Sequence, residues 1–237
     1  MQQRDNDIYV SAPLRRLREA QTQVLVPELQ RCAGTHALLL SAASNDTPPP
    51  LPMLGCWVCL YLDEGRYEGD LCAAADEPLP FVDDAFDLVL LRHALEVSPA
   101  ASDLLADAIR VLAPGGVLAL AGVHPGSGWS PWLRWRARDR SVRLRWPMWL
   151  RQILRHEGLS IEFAQRVGRG WPGLSASGGL PGSPLGGGYV LIARKHRRLV
   201  TPLRMKPVKV GVPAAGRLSP DVRRAATLRT TRTREQA

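Results

Sequence analysis

Residues 79–125, LPFVDDAFDLVLLRHALEVSPAASDLLADAIRVLAPGGVLALAGVHP, decide how the chain folds. Phe86 to Leu91 is a short apolar run without polar alternation, the pattern of a strand buried on both faces. Ser98-Pro99 supplies a helix cap followed by proline at the first helical position. Leu104, Leu105, Ala108, Val111 and Leu112 then recur at helical spacing on one face, with Ile109 at its edge. Pro114-Gly115-Gly116 stops the helix and turns the chain. Val117 to Ala121 is a second buried strand. Two apolar strands joined by an amphipathic helix make a right-handed βαβ unit.

The rest of the chain is read outward from this unit. Its 237 residues suffice for one α/β domain with a sizeable core and some additional chain. No run approaches about 18 uninterrupted apolar residues, so no transmembrane helix is expected. The start, MQQRDNDIYVSAP, lacks a signal-peptide apolar region, and a cytoplasmic location follows as the expectation. Cys32, Cys56, Cys59 and Cys72 do not form a disulfide framework in a chain of this length. Cys56 and Cys59 lie three apart in an expected strand and point to opposite faces, and no second pair stands at zinc spacing. They read as buried thiols, and no metal site is expected. The net charge of +9 is uneven: residues 194–237 carry 13 Lys/Arg against Asp221 and Glu235, whereas residues 1–193 sum to −2.

Residues 11–33 read as a helix capped by Ser11, with Pro13 in its first turn, Pro27 as a kink or break, and Gly34 after its end. His36–Leu40 is a first strand, followed by the small residues Ser41, Ala42, Ala43 and Ser44. Thr47-Pro48-Pro49-Pro50-Leu51-Pro52 is a stiff connector. Trp57–Leu62 is a second strand with Asp63 and Glu64 at its carboxyl end. Ile161–Ala164 and Gly188–Ala193 are two final strands. The glycine-rich segment between them lacks the Gly-Lys-Ser/Thr ending of a phosphate loop.

The LPF turn, the "FD" strand start, the helix ending in "RVLAPGG" and the closing strand together resemble the second half of a class I S-adenosylmethionine (SAM)-dependent methyltransferase of type 11. The segment GVHPGSGW at 122–129 is similar to "GxNPxSxW" in a divergent proteobacterial branch, with His124 in place of asparagine. The resemblance spans about residues 11–200. It implies a Rossmann-like, seven-stranded, mostly parallel sheet with the last strand antiparallel and helices on both faces. Residues 1–196 would form this domain, and 197–237 a basic disordered tail. SAM is the implied cofactor, and a small molecule or macromolecule of unidentified structure the methyl acceptor. The loop Ser41, Ala42, Ala43, Ser44 would approach the methionine end, although the family's glycines are absent. Asp63 would accept hydrogen bonds from the ribose hydroxyls, and Asp76 or Glu77 would meet the adenine. Leu91 and Arg92 close the fourth strand at the ligand-binding edge. His93 and His124 are the candidate catalytic residues. A structural histidine bonded to a backbone carbonyl is the favoured reading of His93 and a plain loop histidine that of His124, with Glu96 a cap or brace of the His93 loop.

Residues 129–155 hold five of the seven tryptophans and eight arginines. Trp146 to Gly158 matches the family's last helix, with Trp149, Leu150, Ile153 and Leu154 inward. Residues 129–145 read as a substrate-covering or partner-binding segment. The basic tail is of the kind that binds nucleic acid or an acidic partner through counterion release. An alternative to the enzyme is therefore a non-catalytic module that uses the Arg/Trp segment and the tail.

Overall fold

A computed structural model describes residues 8–63, 65–137, 142–172 and 185–196. The expected tail of 197–237 lies outside these residues, as does most of the glycine-rich connection. The strands are β1 (Gly34–Ser41), β2 (Leu54–Asp63), β3 (Arg66–Gly69), β4 (Ala73–Ala74), β5 (Phe86–Arg92), β6 (Leu112–Val123), β7 (Leu159–Val167) and β8 (Gly188–Lys195). They form one sheet in the order β4-β3-β2-β1-β5-β6-β8-β7. The four central strands β2, β1, β5 and β6 are parallel. Strand β8 runs antiparallel to both neighbours, as expected for the last strand.

The sheet departs from the expected seven strands at its other edge. Strand β2 turns back at Gly65 (φ +80°) into β3, and β3 pairs with the short β4, so an antiparallel hairpin closes the edge. The described connection from β1 to β2 contains no helix either. Its four prolines deny the backbone N–H donors a helix needs, and it crosses as extended chain with Leu51 buried.

Helices cover both faces. On one, α3 (Ala101–Val111) and α5 (Pro147–His156) pack Leu105, Ala108, Leu150 and Leu154 against Leu38, Leu40, Val89 and Leu118. On the other, α1 (Ala12–Leu29) packs Val24, Leu25 and Leu29 against Leu39, Leu88, Leu90 and Ala119. Two shorter helices, α2 (Ala94–Val97) and α4 (Trp129–Arg136), lie at the carboxyl ends of β5 and β6. Pro27 neither kinks nor splits α1. It falls within the last turn, where only two more helical residues follow. Ser11 occupies the N-cap position of α1, but its hydroxyl makes no capping bond. The Pro114-Gly115-Gly116 turn is a bulge at the start of β6: Phe86 pairs with Leu112, whereas Leu88 pairs with Val117. Gly115 there has φ +87°. The cysteines are free. Cys32 is buried as expected, but Cys56 and Cys72 are exposed because they sit on strand β2's outer stretch and in the loop before β4.

Candidate active site at the carboxyl edge of the sheet

Open parallel sheets bind ligands at the carboxyl ends of their strands. Here those ends carry Ser41, Asp63, Arg92 and Val123. Alternation along the strands places Asp63 and Arg92 on the face covered by α1. Leu90, two residues before Arg92, and Cys59, four before Asp63, flank Leu39 of β1 in register and belong to that layer.

The loop after β1 folds back on itself. The Ala42 N–H donates to the Arg92 carbonyl at 3.0 Å, and the Ala43 N–H donates to Ser41 Oγ at 3.1 Å. The Ser41 hydroxyl donates to Asp46 Oδ2 at 2.7 Å. Ala42 and Ala43 are buried among Tyr9, Leu14, Leu17, Val123, Trp129 and Leu133. The expectation that Ser41, Ala42 and Ala43 face the cofactor is therefore corrected: without glycine, their side chains and N–H groups are used inside the fold. Ser44 is the exposed member of the loop.

Asp46 anchors this closure. Its Oδ1 accepts from Arg92 Nη1 at 2.8 Å and lies 3.4 Å from Arg18 Nη1. All three side chains are over nine-tenths buried. Arg92 Nε and Nη2 are buried without a hydrogen-bond partner. Arg92 also lines a cavity of about 460 Å³ between α1 and the β1–β2 connection, together with Arg15, Arg18, Asp46, Thr47 and Pro48. Sequence reasoning placed Arg92 here but missed Arg18 and Asp46. Their pairing joins positions distant in the chain, which no local pattern reveals.

His93 sits at the foot of a second buried cluster. It adopts φ +59°, a left-handed conformation that turns the chain from β5 into α2. Its Nδ1 lies 3.2 Å from Glu96 Oε2 and its Nε2 3.0 Å from Gln21 Oε1. Glu96 also accepts from the Tyr9 hydroxyl at 3.0 Å and from the Val123 N–H. Gln21 donates to the Gly122 carbonyl at 3.0 Å. Gly122 is required here, because a Cβ would come within 2.6 Å of the Tyr189 hydroxyl and 2.9 Å of Glu96 Oε1. Burial and the Glu96 carboxylate hold the Tyr189 hydroxyl protonated, well above the ordinary phenol range. His93 is 2 % exposed with both ring nitrogens engaged. Its candidacy as a catalytic residue is corrected: it is a tertiary brace tying β5, α1 and α2 together. Leu91 is corrected likewise. It is 1 % exposed and belongs to the core beneath α3, facing away from α1.

His124 remains accessible. Its Nδ1 accepts from the Gly126 N–H at 3.1 Å, which leaves the proton of the neutral ring on Nε2. Trp146 packs edge-on against it at 5.4 Å. Burial, and secondarily the Arg166 guanidinium, lower its pKa below the usual imidazole value. The neutral ring is thus a hydrogen-bond donor at Nε2, suited to polarise an acceptor and less suited to deprotonate one. A depressed imidazole pKa means that the unfolded chain binds the proton more readily. His124 therefore contributes stability that is present above about pH 6.5 and is lost as the pH falls below it. Melting curves at pH 7 and pH 5 for the wild type and His124→Asn check this, and the variant is expected to lose less stability over that interval.

Asp63 is half-buried at the end of β2, and Asp76 and Glu77 are exposed in the turn after β4. Residues 62–120 match the model of a methyltransferase domain. Over this quarter of the chain the sequence is similar to that domain family. Over 56 residues the chain is 41 % identical to phthiotriol/phenolphthiotriol dimycocerosates methyltransferase 1 of Mycobacterium ulcerans, a stretch covering 24 % of the chain and 21 % of that protein. The match thus spans about a fifth of the length of the curated relative. A SAM-dependent methyltransferase of Thermotoga maritima shares the fold, with a TM-score of 0.51 and 14 % identity over 75 % of this chain and 88 % of that one. One from Archaeoglobus fulgidus aligns over 76 % and 96 % of the two chains, with 14 % identity and a TM-score of 0.48.

Proposed function

We propose that the chain is a SAM-dependent methyltransferase acting on an acceptor yet to be identified. The observation that carries this reading is the pair Asp63 and Arg92. One is a carboxylate and the other a guanidinium with unused N–H groups, and both lie at the carboxyl edge on the α1 face. Strand β1 separates their strands, which sets them about 10 Å apart across the sheet. A carboxylate at the first position suits two ribose hydroxyls, and unfilled guanidinium donors at the second suit a carboxylate. The donor set thus fits the two ends of SAM's polar framework.

In this reading Asp63 holds the ribose, Asp76 and Glu77 face the adenine, and Arg92 takes the methionine carboxylate beside Ser44. The cofactor supplies an electrophilic methyl group on a sulfonium. The protein's part is to position the acceptor in line and to exclude water. His124, donating from Nε2, orients the acceptor's lone pair.

Titration calorimetry with SAM and S-adenosylhomocysteine tests the proposal. Asp63→Ala removes hydrogen bonds to a charged acceptor, worth about 1.5–3 kcal/mol, so affinity is expected to fall roughly 10- to 150-fold. No binding of either ligand at millimolar concentration overturns the enzyme reading in favour of a non-catalytic module. Binding unchanged by the substitution overturns the ribose assignment.

A further inference from the structure

We propose that the rim around the β6–α4 connection is a surface that docks on an anionic lipid bilayer. Trp146 is 56 % exposed, Met148 79 % and Trp171 53 %. The two indoles flank one loop. A Cβ built on Gly126 would lie 3.3 Å from the Trp146 ring, and one built on Gly128 would overlap the Trp171 ring. Met148 stands in the first turn of α5, directly after the Trp146 N-cap and Pro147. The same helix buries Leu150 and Leu154, so its exposed apolar residues are not what holds it to the sheet. Large apolar side chains gathered at one rim mark a surface that is covered in use.

Charge identifies what covers it. Residues 129–172 contain ten arginines, no lysine and only three acidic residues. Arg143 is exposed beside the rim, and Arg145 lies over the Trp149 ring at 5.2 Å. Guanidinium groups pair with phosphodiesters, indoles settle at the headgroup boundary, and an exposed methionine enters the acyl region. A nucleic-acid strand would use the flat rings and the arginines, but it offers nothing to Met148, the most exposed of the three. Docked this way, the loop carrying His124 faces the headgroups. The inference stands independently of the methyl-transfer reading.

The test is sedimentation of the full chain with vesicles of phosphatidylcholine alone and of equal phosphatidylcholine and phosphatidylglycerol. Binding to the anionic vesicles only, weakening with salt, is expected. The basic tail is present throughout, so the variants separate the two surfaces. Trp146→Ser/Met148→Ser/Trp171→Ser leaves every arginine and the tail intact, and its partition onto anionic vesicles is expected to fall about ten-fold or more. Met148→Asp, at the most exposed position, keeps the fold if the triple change does not, and is expected to weaken binding in the same direction. Unchanged binding by both variants assigns the contact to the tail and overturns the proposal. Equal binding to both vesicle types overturns it, as does binding to single-stranded oligouridylate without binding to vesicles.

Discussion

Replacing Glu96 with alanine is expected to lower the stability of the domain by about 3–5 kcal/mol. Glu96 is 1 % exposed, and its two oxygens serve three groups from different parts of the chain: the Tyr9 hydroxyl, the His93 ring and the Val123 N–H. Truncation removes the buried acceptor from all three, and losing such an acceptor costs about 1–3 kcal/mol where nothing replaces it. For a domain of this size the melting temperature is expected to drop by roughly 6–20 °C. Glu96→Gln keeps one accepting oxygen and is expected to lose clearly less. Scanning calorimetry of the two variants checks both statements. A loss below about 1 kcal/mol for alanine would mean that water replaces the carboxylate, contrary to the burial of the cluster.

Asp46→Ala is expected to cost a similar amount, about 3–5 kcal/mol, because it removes the carboxylate that pairs with the buried Arg92 guanidinium at 2.8 Å and lies 3.4 Å from that of Arg18. It also removes the acceptor of the Ser41 hydroxyl, which holds the loop after β1 in place. The double substitution Asp46→Ala/Arg92→Ala removes both members of the close pair. Its cost is expected to fall short of the sum of the two single costs by about 0.5–3 kcal/mol. Urea unfolding of the four proteins in that cycle measures the coupling. Additive costs would show that solvent entering the adjoining cavity screens the pair, and the closed loop would then need another explanation.

These two clusters also show where reading the chain succeeds and where it stops. The β5–α3–β6 unit was legible because its pattern is local: an apolar run, a helical stripe and a Pro-Gly-Gly stop within 47 residues. The final antiparallel strand pair and the helix starting at Pro147 were legible for the same reason. Asp63 is singled out because a carboxylate at a strand end has a fixed place in the resemblance, and the structure sets it at the end of β2. The edge hairpin β3–β4 was not found, since two- and four-residue strands carry too little alternation to stand out from a loop. Pro27 predicts a kink or break, but proline near a helix end displaces little because the helix stops soon after.

The amino-acid sequence by itself determined the layer architecture, because hydrophobic period dictates which residues must be buried and on which face. It also determined the absence of glycine from the loop after β1. What that absence does was decided only in three dimensions. The Ala42 and Ala43 N–H groups and the side chains of Ser41, Ala42 and Ala43 turn inward, and Asp46 holds the loop shut against Arg92. His93 and Leu91 are neighbours of Arg92 in the chain, yet one became a brace, the other core, and only Arg92 faces the cavity. Strand alternation separates Leu91 from Arg92, and Gln21, 72 residues from His93, closes off the imidazole. Contacts at such separation depend on how the whole sheet brings α1 to its carboxyl edge, and no pattern within one element records that.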